Sequence, residues 1–597
     1  MNHAKKNFML CTLTAAVGLA LSGCGGSDSN NSGDTAAKQA VSVDYIATSM
    51  PSTADQRADV FTDAKVLITF DDGSTEERSL AYNTLFTTGQ NIGGTTAALY
   101  TDIDGTPITF DGEQVFSDGP DGQSLIMKDG KIKLVTQYEY KTGNYGELPS
   151  QIDITEIDQA ANGVLTPKSI TKVDTSEVDG LWITCAGSIT PWSTHLSSEE
   201  YEPDARFPNR GLLPAFSTNL YDSPTAAKPY HYGYIPEVTL DGSIVKHYSM
   251  GRFSHELAEV LPDERTVYFG DDGGNTGMFM YVADTKGDLS SGTLYAAKWI
   301  QTSAIGGGSA DLEWVKLGSA TDAEIKTLAD RLSFSDLFET SEVAADGFTE
   351  ITTYYGTEFL KLKPGREKAA AFLESRRYAA MLGATTEFNK MEGVTYNSDD
   401  NVVYVAMADV SKAMTDTKGA IQLAAAFPGT VYEMQATSSV MDSEGNMIDS
   451  AHVVTSLKSI EKLEGQFMDV DDFGNKAIIT KVANPDNIKY SSELKTLFIG
   501  EDSGVHTQNI VWAYQPAGTK LTPLATMPAG AEATGLQIAT NYGGHTYLMS
   551  NFQHAGDTKA LALPAMAGVE AAINAKWNNK KSSAIGYFMG IPALKQN

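Results

Sequence analysis

TVYFGDDGG (266–274) followed by MFMYVAD (278–284), and KTLFIGEDSG (495–504) followed by NIVWAYQ (509–515), are the stretches that set the architecture. In each, a β-branched and aromatic run ends on two acids, a glycine-containing loop follows, and a second aromatic run returns. That order reads as a hairpin of two strands. NVVYVAMAD (401–409) and HTYLMSNFQ (545–553) repeat the strand signature. Short strands recurring in this way predict an all-β chain. Their spacing is irregular, so pattern alone leaves a β-propeller and an array of β-sandwiches equally open. In a propeller, acids at equivalent strand ends would converge on a central channel, where they require cations or raised pKa values. The plainer alternative is that Asp and Gly are simply common in turns.

Working outward, the 597-residue chain carries 44 Lys+Arg against 75 Asp+Glu, a net charge of −31. No basic stripe appears along it, which argues against nucleic acid as a partner. An acid excess of this size suits solubility or the binding of hard cations. With 42% hydrophobic and 20% charged residues the chain can bury a large core, which excludes wholesale disorder.

Cysteines occur at Cys11, Cys24 and Cys185. Lys5 and Lys6 precede an apolar run from Phe8 to Leu21 and then Leu21-Ser22-Gly23-Cys24. This start resembles a bacterial lipoprotein signal, in which residues 1–23 are removed and Cys24 is lipidated. Gly25, rather than Asp, follows Cys24 and favours the outer membrane. Residues 24–40 then form a flexible tether rich in Gly, Ser and Asn, and 41–597 a folded body. The expectation is a monomer, lipid-anchored at the outer membrane or facing the periplasm. Two lysines and no acid leave with the signal, taking the charge from −31 to −33. Cys185 remains as the one unmodified thiol, so an intramolecular disulfide has no second partner.

Two helices are expected. Residues 320–332 have Thr321 or Asp322 as N-cap and Ile325, Leu328 and Leu332 at helical spacing; residues 365–383 are rich in helix formers and end at Gly383.

The densest chemistry lies in CAGSITPWSTHLSSEE (185–200), where a lone thiol precedes the adjacent carboxylates Glu199 and Glu200. A soft thiolate among hard carboxylates suits iron better than Mg²⁺ or Ca²⁺ alone. Adjacent glutamates on a strand face opposite ways, although both could reach metals from a loop. Ser193 and Thr194 read as turn residues, since no Gly-x-Ser-x-Gly elbow surrounds them. Trp192 could wall such a site. His255 and His554 read as core or loop histidines. MDVDDFGN (468–475) reads as a solvated turn, because Phe473 occupies a position where a calcium loop needs a ligand.

The 185–200 segment resembles the signature of PhoX-type alkaline phosphatases, with its Cys, Thr-Pro-Trp and terminal Glu-Glu. GRFSHEL (251–257), RRYAAMLGATTEFNKMEG (376–393), ANPDNI (483–488), EDSG (501–504), AEATG (531–535) and FQHAG (552–556) are similar to further motifs of that family, in order, over about residues 130–556. The resemblance implies a six-bladed β-propeller with helical and loop insertions, holding two Fe³⁺ and several Ca²⁺ ions. It implies Cys185, Glu256 and Glu392 as iron ligands and Glu199 and Glu200 in a shared iron and calcium shell. Asp272, Asp486, Asn487, Asp502 and Glu532 fall on the calcium side. Clustered cations would attract a phosphate ester to an acidic protein, polarise its oxygens and activate the attacking oxygen without a serine nucleophile. Glu392 and Lys390 are the residues implied in catalysis, but Lys390 stands where the family commonly has Arg. Gln137-Tyr138-Glu139-Tyr140 and His554-Ala555-Gly556 are further departures, which place the chain on a divergent branch. Two other readings stay open: a non-catalytic, calcium-stabilised propeller that binds a ligand, and a calcium-dependent lactonase using Asp486 and Asn487, which leaves Cys185 unexplained.

Overall fold

Antiparallel four-stranded meanders make up most of the computed structural model, which describes residues 38–595. The first runs through Pro120–Lys128, Lys131–Tyr138, Gln151–Gln159 and Leu165–Lys172. The second contains Ser188–Ile189, His195–Leu196, Ile235–Val238 and Ile244–His247. The third contains His255–Val260, Thr266–Thr276, Phe279–Thr285 and Asp288–Ser303, and the fourth Phe388–Asn397, Val402–Met407, Thr430–Thr437 and Val453–Ser459. These two merge into one nine-stranded sheet, because Ser309–Thr321 pairs with a strand of each. The fifth contains Pro485–Ser491, Thr496–Glu501, Ile510–Gln515 and Lys520–Thr526. The sixth contains Glu532–Tyr542, His545–Gln553 and Ala584–Met589, and is completed by Ala81–Thr87 from the other end of the chain. The expected all-β class therefore holds, with few helices. The signal region, Cys24 and the tether up to residue 37 lie outside the described residues.

The first strands of successive meanders touch in a closed circuit, and hydrogen bonds or pairings from residues on or beside them mark its steps. The amide of Gly122 donates to Cys185 O (3.1 Å), and that of His255 to Glu199 O (3.0 Å). Asp271 pairs with Met391 across the third and fourth meanders. Leu536 N donates to Asn487 Oδ1 (3.3 Å), and Asn551 Nδ2 to Asp121 O (2.9 Å), returning to the first meander. The link between fourth and fifth needs a glycine. A Cβ on Gly393 would collide with Asp486 O and stand 2.9 Å from Ile488 N, both backbone atoms.

Strands facing sheets on both sides are buried along their whole length, as in His255–Val260, Val402–Met407 and Thr496–Glu501. Val402–Met407 accordingly reads as an unbroken apolar and aromatic run rather than an alternating one, whereas His255–Val260 buries His255, Glu256 and Glu259 as well. Trp299, Trp314 and Trp512 fill the spaces between sheets. Ala40–Ile46, Lys65–Phe70 and Thr75–Ser79 form a separate three-stranded sheet whose Tyr45 and Val66 join the core of the last two meanders.

Asp322–Arg331 is helical, capped by Thr321, whose hydroxyl accepts from Glu324 N in a reciprocal capping box. The second expected helix is two, Glu367–Leu373 and Ser375–Met381. Glu374 leaves helical geometry between them, where its carboxylate accepts from Tyr230 Oη (2.8 Å) and Arg377 Nη1 (2.7 Å). Gly383 ends the second at φ +84.

Gly393→Ala is expected to destabilise the fold by about 1–3 kcal/mol, because backbone on both sides cannot yield. Gly504→Ala, with open space around its Cα and no left-handed φ, is the control. Thermal unfolding of the two variants checks this; equal melting temperatures would refute the close approach.

Candidate metal centre

In each hairpin the start of the first strand lies opposite the end of the second: Pro120 opposite Tyr138, His255 opposite Asp271, Pro485 opposite Glu501. Acids at those two places therefore occupy one rim. Asp121, Glu256, Asp486 and Glu532 come from first-strand starts, and Glu139, Asp272 and Asp502 from second-strand ends. Phe388–Asn397 carries Glu392 to the same rim through a register shift after Met391, with Lys390 at φ +53. A bridge between Thr184 and Glu199 brings in Cys185 and Glu200.

Donor atoms of Asp121, Glu139 and Cys185 lie within 4.8 Å of one another, as do those of Cys185, Glu200 and Glu256, and those of Glu256, Glu392 and Asp486. Cys185 and Glu256 are each shared, so the three groups join into one continuous buried run. Cys185 Sγ is 3.1 Å from Glu256 Oε1 and 3.6 Å from Asp121 Oδ2. Gln553 Nε2 donates toward three of the acids, Glu532 (2.7 Å), Glu139 (3.0 Å) and Asp121 (3.2 Å).

Burial, reinforced by neighbouring acids, pushes the carboxyls of Glu139, Glu200, Glu256, Glu392, Asp486 and Glu532 well above the usual range. It raises Asp121 to about 7 and lifts the Cys185 thiol. Asp272 is the exception. Burial pushes it up as well, but Lys390 and hydrogen bonds from Glu200 and Tyr201 outweigh that and hold it down. For Lys390 burial acts downward, and Asp272, Glu392 and Asp502 overcome it to raise the ammonium well above its ordinary value. Its Nζ stands 2.9 Å from Glu392 Oε1 and 3.3 Å from Asp272 Oδ2.

Buried like charges at this density are stable only when protonated or when cations lie among them. Among the rim acids, Asp121 Oδ1 and Asp486 Oδ1 have no hydrogen-bond partner, and Glu392 Oε1 has only the ion pair with Lys390. Unclaimed oxygens beside a thiol are the donor set of a mixed soft and hard metal cluster, so these residues fit such a group.

Adjacent acids divide their work. Glu200, Asp272 and Asp502 face the rim, and their neighbours Glu199, Asp271 and Glu501 face the opposite way. Glu199 pairs with buried Lys246 (2.8 Å) and accepts from Trp182 N, Gly233 N and Tyr234 N. Both its oxygens are used, so the structure does not bring Glu199 into the cluster where it was expected. Asp271 is gripped by Arg376, and Glu501 by His506, Trp512 Nε1 and two backbone amides.

Other expected residues fall as follows. Asn487 Oδ1 is used by Leu536 N, but its Nδ2 is unpartnered. His255 donates to or accepts from no rim acid; its Nε2 meets Gly251 O (3.0 Å), and burial lowers its pKa to about 3. His554 stacks on Tyr140 and meets Thr142 Oγ1 (2.9 Å). Ser193 sits at φ +68 in a turn, and Trp192 Nε1 is tied to Glu237 (2.7 Å), away from the rim. Asp471 caps the 471–475 turn by accepting from Phe473 N and Asn475 N.

Sequence reasoning missed Asp121 and Tyr201 and left Glu139 and Gln553, both inside quoted motifs, without a role. Asp121 sits in GPDG, which looks like an ordinary turn. The available signal was its match with Pro485-Asp486: both are Pro-Asp pairs opening a first strand.

The sequence model of the family described as alkaline phosphatase PhoX matches residues 136–556, well over half the chain. Among solved structures, Pseudomonas fluorescens PhoX in complex with vanadate, described as a transition state analogue, is similar in fold with a TM-score of 0.55 at 16% identity, covering 92% of this chain and 98% of that one. The Pseudomonas aeruginosa periplasmic gluconolactonase has a TM-score of 0.29 at 9% identity, covering 82% of this chain and 96% of its own. A putative 6-phosphogluconolactonase from Bacteroides fragilis has a TM-score of 0.29 at 8% identity, covering 87% and 92%. Likenesses this slight decide nothing. No curated protein matches by sequence. The family match spans the motifs that deliver Cys185, Glu200, Glu256, Glu392, Asp486, Asp502 and Glu532 to one rim, and by it the chain belongs to the alkaline phosphatase PhoX family of phosphoric ester hydrolases.

Proposed function

We propose that the protein is a metal-dependent alkaline phosphatase of the cell envelope, holding two Fe³⁺ and several Ca²⁺ ions at the acid rim of a six-bladed propeller. The observation that carries this reading is the continuous buried run of acids with Cys185 inside it. A binding module or a calcium lactonase has no use for a thiol among carboxylates. The six meanders and their closed circuit support the propeller, with Ala81–Thr87 sealing the last blade.

Cys185, Glu256 and Glu392 would hold iron, with Glu200 between the two metal types. Asp121, Glu139, Asp272, Asp486, Asn487, Asp502 and Glu532 would serve calcium. When bound, the cations neutralise the cluster, polarise the phosphoryl oxygens and activate the attacking oxygen. Lys390 supplies a fixed positive charge for the transferring phosphoryl group; as an ammonium it acts as a point charge rather than as a two-pronged clamp. Tyr201 donates its hydroxyl to Asp272 and so fixes the carboxylate that orients Lys390. The N-terminal pattern supports removal of residues 1–23, lipidation of Cys24 and attachment to the outer membrane through the 24–40 tether. The substrate partner is a phosphate ester. No helix among the described residues is long and apolar enough to cross a membrane.

Purified protein is expected to contain both iron and calcium and to hydrolyse an aryl phosphate at alkaline pH. Cys185→Ala should lose iron, and Lys390→Met should lower kcat about 100-fold or more. Elemental analysis with calcium but no iron would sink the cofactor assignment.

Metal removal should make stability fall as pH rises. Acids whose folded pKa is raised contribute fully below their ordinary values and lose that contribution as pH rises toward the folded pKa. For Asp121 the window runs from 3.8 to about 7. Chelator-stripped protein should therefore melt higher at pH 5 than at pH 8, with cations restoring stability at pH 8. A melting temperature that is flat across this window would contradict the account.

A further inference from the structure

We propose that the cavity beside Lys390 is the subsite for the leaving group of the ester and is built for a flat aromatic one. This rests on the phosphatase reading above.

The cavity encloses about 630 Å³, enough for an aryl or nucleoside group. Lys390 and Tyr201 line its inner end, and both touch Asp272, so it is continuous with the acid rim. Its walls are aromatic. Tyr145, Phe207 and Tyr354 are 39%, 38% and 40% exposed, high for rings of this size, and all three face this one space. The Tyr201 ring lies 6.1 Å from Tyr145 and 6.0 Å from Tyr354, tilted by 57° and 38°, so three rings gather at one wall, with Arg376 5.2 Å over Tyr354. Aromatic rings held open to solvent beside a reaction centre offer stacking surface to whatever enters.

These residues belong to insertions rather than to the meander framework. Tyr201 and Phe207 come from the long connection between His195–Leu196 and Ile235–Val238, and Tyr354 from the turn joining Thr349–Thr353 to Gly356–Leu362. Scaffold residues thus form the rim, and loops supply the selectivity. At the mouth, Arg210 lies 4.3 Å over the Phe207 ring and Lys412 borders Gly274. Neither makes an ion pair among the described residues, so both are available to draw an anionic ester into a chain of net charge −31.

The test compares kcat/KM for phenyl phosphate, adenosine 5′-monophosphate and glycerol 3-phosphate in the metal-loaded enzyme and in Tyr354→Ala and Tyr354→Phe. The expected result is a preference of about tenfold for an aromatic ester over glycerol 3-phosphate. Tyr354→Ala should abolish that preference and Tyr354→Phe should keep it. Preference for phenyl phosphate alone identifies a simple aryl group, and preference for the nucleotide alone a nucleoside; either supports the proposal. A general folding defect lowers all three values and leaves their ratio, so an unchanged ratio in Tyr354→Ala overturns it. Equilibrium dialysis with phenol and adenosine, which lack phosphate, separates this inference from the phosphatase reading. If no ester is hydrolysed, saturable binding that is lost in Tyr354→Ala still supports an aromatic site, and absence of saturable binding overturns it.

Discussion

Burial of many acids at one rim, together with a thiol, is the constraint on which the rest of the structure depends. Each carboxylate removed from water is costly unless something offsets it, and side by side they repel one another as well. The chain nevertheless places Asp121, Glu139, Glu200, Glu256, Glu392 and Asp486 within reach of neighbours and leaves oxygens unclaimed. Packing does not require such an arrangement, since apolar residues of similar volume would fill the space more stably. It is stable only with the acids protonated or with cations among them.

The framework around the rim answers that cost with charges of its own, placed behind the acids rather than among them. Arg376 holds Asp271 and Glu202, and Arg377 holds Glu358, Glu374 and Asp204. Lys246 holds Glu199. Each lies at the back of a strand end whose next residue faces the rim, or on the helix that packs behind it. Fixing Asp271, Glu199 and Glu501 fixes the rotation of their strands, and with it the aim of Asp272, Glu200 and Asp502. The strand ends with paired acids are therefore two-sided: one acid is anchored in the protein, and the other is left to the site.

This division explains what was legible in the sequence. Paired acids closing aromatic strands marked the rim, and the order of motifs marked Cys185, Glu256 and Glu392. Which member of a pair faces inward depends on strand phase, set by tertiary anchors such as Lys246, so Glu199 and Glu200 could not be separated from their neighbours alone. Asp121 was hidden because Pro-Asp-Gly is also an ordinary turn, and its partners Gln553 and Glu139 lie hundreds of residues away or in another strand. Helix-forming composition over 365–383 was real, but buried contacts of Glu374 outweigh local propensity and break it in two. The circuit of first strands was invisible for a similar reason, since glycines such as Gly393 look unremarkable until their neighbours are in place.

Lys390 carries the same logic to its limit. A non-glycine residue in the left-handed region costs about 1–2 kcal/mol, and a glycine would remove that cost. Surrounding structure over-determines the conformation instead: Ala408 N donates to Lys390 O (2.8 Å), and the Asn389 side chain is fixed by Asp409. The strain aims one ammonium at Glu392 and Asp272, on the boundary between the acid rim and the aromatic cavity. Strain that persists where the fold has an easier choice points to selection for the position of the charge rather than for stability. An arginine there would span the boundary with several donors in a rigid plane, whereas lysine leaves a compact charge on a flexible stem. Orientation of the ester would then fall more heavily on the aromatic walls, where Tyr145, Phe207 and Tyr354 stand open to solvent.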